Sequence, residues 1–143
     1  MEHMAPVASR LSAVIVTTPQ AVALLDAMKC LSFTRAVSLP VLGLIENMSG
    51  YVCPCCGEIS NVFSTGGGEE MARREGLKFL GSLPVDTELV TLLDAAETAP
   101  ATGSDAAAEA QSFELLRRYQ QTSTAPLFSK IVEEIVRTLN GRS

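Results

Sequence analysis

The sequence predicts an α/β fold, a partial parallel sheet with flanking helices. Three observations carry that expectation. Apolar, β-branched runs recur at 13–17, 41–45 and 79–83; segments of helical period stand between them; and Gly or Pro marks most of the joins. Alternation of buried strands with helices favours parallel pairing through right-handed crossovers.

Each element has a local reason. Ala13-Val14-Ile15-Val16-Thr17 has the unbroken apolar character of a strand covered on both faces. Thr18 and Pro19 follow as expected N-cap and first helical residue, and the helix should run to about Val37 with Leu24, Met28 and Leu31 on its inner stripe. Pro40 punctuates it, and 41–45 forms the second strand. A loop from Glu46 to about Thr65 should carry the cysteines. Gly66-Gly67-Gly68 then opens a short helix, with Glu69 and Glu70 near its positive end and Gly76 as its C-terminal cap. The third strand, 79–83, is expected to be broken at Gly81, and Asp86 should cap the next helix after Pro84-Val85. From 97 to 124 the composition shifts to Ala, Thr, Ser and Gly. This stretch reads as an insertion, with a loop over 99–103 and a helix over 105–121 that carries Phe113, Leu116 and Gln120 along one face. Leu127, Ile131, Ile135 and Leu139 repeat every four residues in a last helix, opened by Pro126 and closed by Gly141. Three strands make a thin sheet with an unpaired edge, as in part of a larger fold or a sheet covered by a partner.

Composition limits the function. The 143 residues suit one domain, and a hydrophobic fraction of 47% suffices for a core. A formal charge of −5 gives no electrostatic footprint for nucleic acid or an anionic membrane. No apolar run approaches the ~20 residues that span a bilayer. Residues 1–10 read as a cloning scar or linker, His3 included, and 11–143 as the folded unit. With no secretory signal, the expected compartment is the reducing cytoplasm, where clustered thiols bind metal or do redox chemistry more often than they form structural disulfides.

The chemistry concentrates in Cys53-Pro54-Cys55-Cys56. A CxxC spacing lets one turn aim Cys53 and Cys56 at the same soft metal. Closed tetrahedral zinc and iron–sulfur sites take four protein ligands. The only further cysteine is Cys30, expected to be a small buried hydrophobe on the first helix. The motif is therefore half a site, most simply completed by a second chain. From the residues alone three readings stay open: a shared cluster, a zinc-bridged structural dimer, or a thiol-redox pair. Cys55 is a bystander or a spare thiol. Met48, Tyr51 and Val52 could form an apolar collar, and Gly66-Gly67-Gly68 is a tight turn or a phosphate cradle.

Five pieces in order resemble one family: Val16-Thr17-Thr18-Pro19-Gln20; Glu46-Asn47-Met48-Ser49-Gly50; Cys53-Pro54-x-Cys56; Phe63-x-x-Gly66-Gly67-Gly68; and Leu80-Gly81-x-x-Pro84-x-Asp86. This is similar to the Mrp/NUBP branch of the MinD-like deviant P-loop ATPases, scaffolds for iron–sulfur cluster assembly, and is nearest to the small subunit of the eukaryotic cytosolic scaffold. The resemblance implies a labile [4Fe–4S] cluster on Cys53 and Cys56, bridged to a second subunit and passed to recipient apoproteins. The partner would be a second copy or the larger homologous subunit. It also implies that Asn47, Pro84 and Asp86 lie on the nucleotide side of the fold. The departure is the Gly-Lys-Ser/Thr phosphate loop, which the 143 residues do not contain. The sequence thus reads as a C-terminal half, no ATPase by itself, with ATP and Mg belonging to the longer parent, and with Asn47 and Asp86 serving as loop caps.

Overall fold

The computed structural model describes residues 11–53, 55–60, 65–97 and 105–141. Pro54, Phe63, His3 and the 99–103 loop lie outside them. The elements run β1 (Ala13–Thr17), α1 (Ala21–Ala36), β2 (Val41–Val52), β3 (Ile59–Ser60), α2 (Gly67–Glu75), β4 (Phe79–Val85), α3 (Thr87–Glu97), α4 (Asp105–Gln120) and α5 (Ala125–Asn140). The α/β class and the parallel pairing are as the sequence predicts. β2 is central, with β1 and β4 parallel to it on its two sides.

Neighbouring residues of β2 point to opposite faces, and each face has its own cover. Leu44 is fully buried among Ile15, Ala27, Leu31, Met71 and Ala72, beneath α1 and α2. Ile45 faces the other way, against Leu80, Leu83 and Ile131, beneath α5. Leu24, Met28 and Leu31 do form the inner stripe of α1, joined by the buried Ala27 and Thr34.

Several boundaries differ from expectation, each for a physical reason. α1 starts at Ala21. Gln20 precedes it in an extended conformation with no side-chain cap, so neither Thr18 nor Pro19 has the expected role. The Pro19 carbonyl is instead part of a close approach, since a Cβ on Gly67 would lie 2.9 Å from Pro19 O. Cys30 is exposed, on the flank of α1 away from the Ala27–Leu31 contact, so it is not a core residue. β2 does not stop at Ile45 but continues to Val52, because β4 supplies ladder partners for Glu46, Asn47 and Tyr51. The register shifts between Asn47 and Tyr51, where Met48 and Gly50 take positive φ angles of 57° and 92°. This irregularity is what makes the segment look like loop in sequence.

A fourth strand was not expected. β3 pairs antiparallel with the end of β2, Tyr51 opposite Ser60 and Val52 opposite Ile59. Gly81 does not break β4. It sits inside the strand at φ 145°, where a Cβ would come within 2.9 Å of Ile131, so the glycine admits α5 to the sheet. In α4, Phe113 and Leu116 are both exposed rather than packed. No described helix is long and apolar enough to cross a membrane.

Candidate functional site

The described cysteine-bearing residues project from the C-terminal end of the central strand. Val52 is buried and anchors the strand end. Cys53 N–H donates to Glu58 O at 2.9 Å, and Gly57 N–H donates to Cys53 O at 2.8 Å. Gly57, at φ 71°, supplies the left-handed residue this turn needs. The turn leaves Cys53 half-buried and Cys55 and Cys56 exposed, all as free thiols.

The turn also tunes Cys53. The backbone amide of Cys55, then the amide and thiol of Cys56, stabilise the Cys53 thiolate and lower its pKa below the usual thiol value, against the opposing effect of burial. Amides converging on a sulfur favour the anion, which is the nucleophile and the metal-binding form. The donor chemistry thus suits a soft metal. Among the described residues, no group of three or more His, Cys, Asp or Glu side chains is placed to hold a metal ion. Cys30 therefore does not complete the set.

The nucleotide-side residues sit at the C-terminal ends of the parallel strands, where open α/β sheets bind ligands. Asn47 is opposite Leu83 in the β2–β4 ladder, one residue before the buried Pro84. Asn47 Oδ1 accepts the N–H of Met48 at 2.9 Å, stabilising a backbone that only glycine adopts freely. Met48→Gly is accordingly expected to raise stability by about 1 kcal/mol in urea denaturation, by relieving the left-handed strain. Asp86 Oδ1 accepts the N–H groups of Glu88 and Leu89 at 2.9 and 3.2 Å, the expected cap of α3. Its Oδ2 accepts Ser123 Oγ and Thr124 Oγ1 at 3.2 and 3.0 Å. A cavity of about 190 Å³ separates Cys53 and Gly57 from Asp86, Thr87, Glu88 and Ser123, so the inner side of the cysteine turn faces the start of α3.

Sequence reasoning missed Glu46. Its side chain is buried, and its carboxylate fills the glycine turn at the start of α2. Oε1 accepts Gly66 N–H at 3.0 Å and Ser49 Oγ–H at 2.6 Å, and Oε2 accepts Gly68 N–H at 2.5 Å. Gly66-Gly67-Gly68 is the tight turn read from the sequence, with Gly66 left-handed at the N-cap, and the anion its amides hold at the helix N-terminus is the protein's own. A Cβ on Gly68 would stand 3.1 Å from Glu46 Cβ, Glu46 Oε2 and Leu44 Cδ2. Since Leu44 and Glu46 are buried and cannot yield, Gly68→Ala should cost about 1–2 kcal/mol, seen as a lower urea midpoint at unchanged m-value. The available signal was a lone carboxylate ending an apolar strand on the same face as Leu44, which demands buried donors.

A model of the ParA family, described as NUBPL iron-transfer P-loop NTPase, matches residues 3–120. The chain belongs to this family. Among similar proteins, the cytosolic Fe-S cluster assembly factor CFD1 of Coccidioides immitis is 41% identical over 139 residues, 90% of this chain and 40% of that protein. The cytosolic Fe-S cluster assembly factor NUBP2 of Bos taurus is 56% identical over 98 residues, 65% of this chain and 36% of that protein. A nucleotide-binding protein from Archaeoglobus fulgidus, solved in complex with ADP, is 34% identical, with a TM-score of 0.48, and the match covers 56% of this chain and 33% of that one. The chain spans less than half the length of these relatives.

Proposed function

We propose that the chain is the cluster-carrying part of a cytosolic iron–sulfur assembly scaffold. Cys53 and Cys56 bind a labile [4Fe–4S] cluster shared with a second subunit, which passes to recipient apoproteins as cargo. The observation that carries this reading is the turn itself. Closed by the Cys53 N–H to Glu58 O and Gly57 N–H to Cys53 O bonds, it holds Cys53 half-buried at the end of β2 with Cys56 exposed three residues on. Two thiolates from each of two chains make the four a cubane cluster needs. The names of the relatives support the cluster and the cytosol, and exposure of Cys55 and Cys56 suits a site that must release its cargo. The second subunit is another copy of this chain or a larger homologue.

In this reading residues 11–143 are the C-terminal half of a P-loop NTPase-like domain, with 97–124 as an insertion. ATP and Mg act in the longer parent, and this chain hydrolyses no ATP. Its 143 residues contain no Gly-Lys-Ser/Thr motif, and two of its three glycine-turn amides already bind Glu46. Asn47 and Asp86 act as caps, a role supported by the hydrogen bonds that occupy them. Iron, acid-labile sulfide and zinc analysis of anaerobically prepared protein tests the proposal. Iron and sulfide in equal amounts support it, whereas zinc at one atom per two chains supports a structural bridge built on the same thiolates.

A further inference from the structure

We infer that the groove leading from Cys53 across the start of α3 to Arg118 is a binding site for a small thiol that carries an α-amino-acid head group. The inference rests on the reading of Cys53 as a thiolate ligand of the cluster, and names the kind of thiol that meets the cluster there. Two hollows make the groove. The inner one, of about 190 Å³, lies between Cys53 and the first turn of α3. The outer one, of about 520 Å³, lies between α3 and the end of α4. Thr87 and Glu88 line both, so the hollows adjoin across the start of α3. Their volumes suit a ligand of metabolite size.

The chemistry along the groove has an order. Cys53 lines the inner hollow, Glu88 lines both, and Arg118 lines the outer one, where Leu92 is buried. Glu88 and Arg118 share the outer hollow yet do not meet in an ion pair, and no other described residue bonds either side chain's charged group. The neighbouring Arg117 is paired with Glu114. Asp86 already fills the amides at the start of α3, so the cation of the groove is Arg118 and not the helix end. Two opposite charges set apart by an open hollow fit an ammonium and a carboxylate on one ligand. A simple anion or cation would be repelled by the second charge. A thiol on the same ligand then falls toward Cys53. An extended tripeptide spans about 10 Å, against a rise of about 7.5 Å for the stretch of α3 from Thr87 to Leu92 that walls the outer hollow. A thiol held there can replace Cys53 on iron. One iron–sulfur bond forms as one breaks, the incoming thiol's proton passes to the departing Cys53 thiolate, and no electron is transferred.

The test uses the full chain and needs no cluster. S-methylglutathione, a tripeptide with the head group and a blocked sulfur, is titrated into isotope-labelled apoprotein and followed by NMR. Glu88 and Arg118 are both exposed, so binding in the millimolar range is expected, with one isotherm shared by the amides of Cys53, Thr87 and Gln121. Glu88→Lys and Arg118→Glu should each weaken binding about fivefold, the upper end of what an exposed ion pair contributes. The double swap should regain most of that loss by taking the head group in reverse, a rescue that a merely structural role would not give. Equal isotherms in the wild type and both single variants overturn the site. So does equal binding of the derivative N-acetylated at the head group, or a Cys53 amide that does not move with the others. The second readout is loss of iron from reconstituted protein to a ferrous chelator. It is expected to be about fivefold faster with glutathione than with its N-acetyl derivative in the wild type, and equal for the two thiols in Arg118→Glu. Wild-type protein that takes up no iron and sulfide overturns the proposed function, and the titration still decides the groove.

Discussion

Alanine at Cys53 or at Cys56 is expected to abolish binding of iron and acid-labile sulfide after anaerobic reconstitution, whereas Cys55→Ala and Cys30→Ala should retain most of it. The asymmetry follows from the turn. Cys53 receives the amides of Cys55 and Cys56, and a Cys55→Ala substitution leaves both amides in place. Cys30 is on another element, exposed on α1. With two ligands per chain, losing one leaves a dimer with two of four thiolates, too few for a cubane cluster. Iron and sulfide assays with the visible absorbance of the cluster read the outcome. Wild-type cluster content in Cys56→Ala would remove the site from these residues.

Asp86→Ala is expected to destabilise the fold by about 3 kcal/mol while leaving cluster content per folded chain unchanged. Loss of the α3 cap contributes about 1 kcal/mol. The released hydroxyls of Ser123 and Thr124, the latter almost fully buried, contribute about 1 kcal/mol each, the net worth of a typical hydrogen bond. Asp86→Asn should cost no more than about 1 kcal/mol, since Asn caps helices as well as Asp and the two hydroxyls can turn to accept from its amide. Urea titrations of the three proteins measure the difference. Equal stability of wild type and Asp86→Ala would mean that the carboxylate does not tie α3 to the start of α5.

The features legible in the sequence were those whose cause is local. β1, the glycine caps on either side of α2, the Asp86 cap and the last helix are set by residues within one turn of where they act. The CxxC motif is equally local, and the described hydrogen bonds that close the turn join Cys53 to Gly57 and Glu58. What stayed hidden depends on contacts across the chain. β2 persists beyond Ile45 because of partners in β4, although Met48, Ser49 and Gly50 look like loop. Gly81 reads as a strand breaker until Ile131 is packed above it. Cys30 stands two residues after Met28 and one before Leu31, and only the position of β1 and α2 decides which of them is covered. Glu46 is the clearest case, because its partners Gly66 and Gly68 lie 20 and 22 residues away. The glycine run reads in sequence as a tight turn or a phosphate cradle, and only the fold places a carboxylate there.

In the proposed assembly one chain holds half a cluster site. Native mass spectrometry of the anaerobically reconstituted protein tests it most directly. The expected result is a two-chain species carrying the mass of one [4Fe–4S] cluster, absent from Cys53→Ala. A single chain carrying a whole cluster, or wild-type dimers with zinc or no metal, would contradict it.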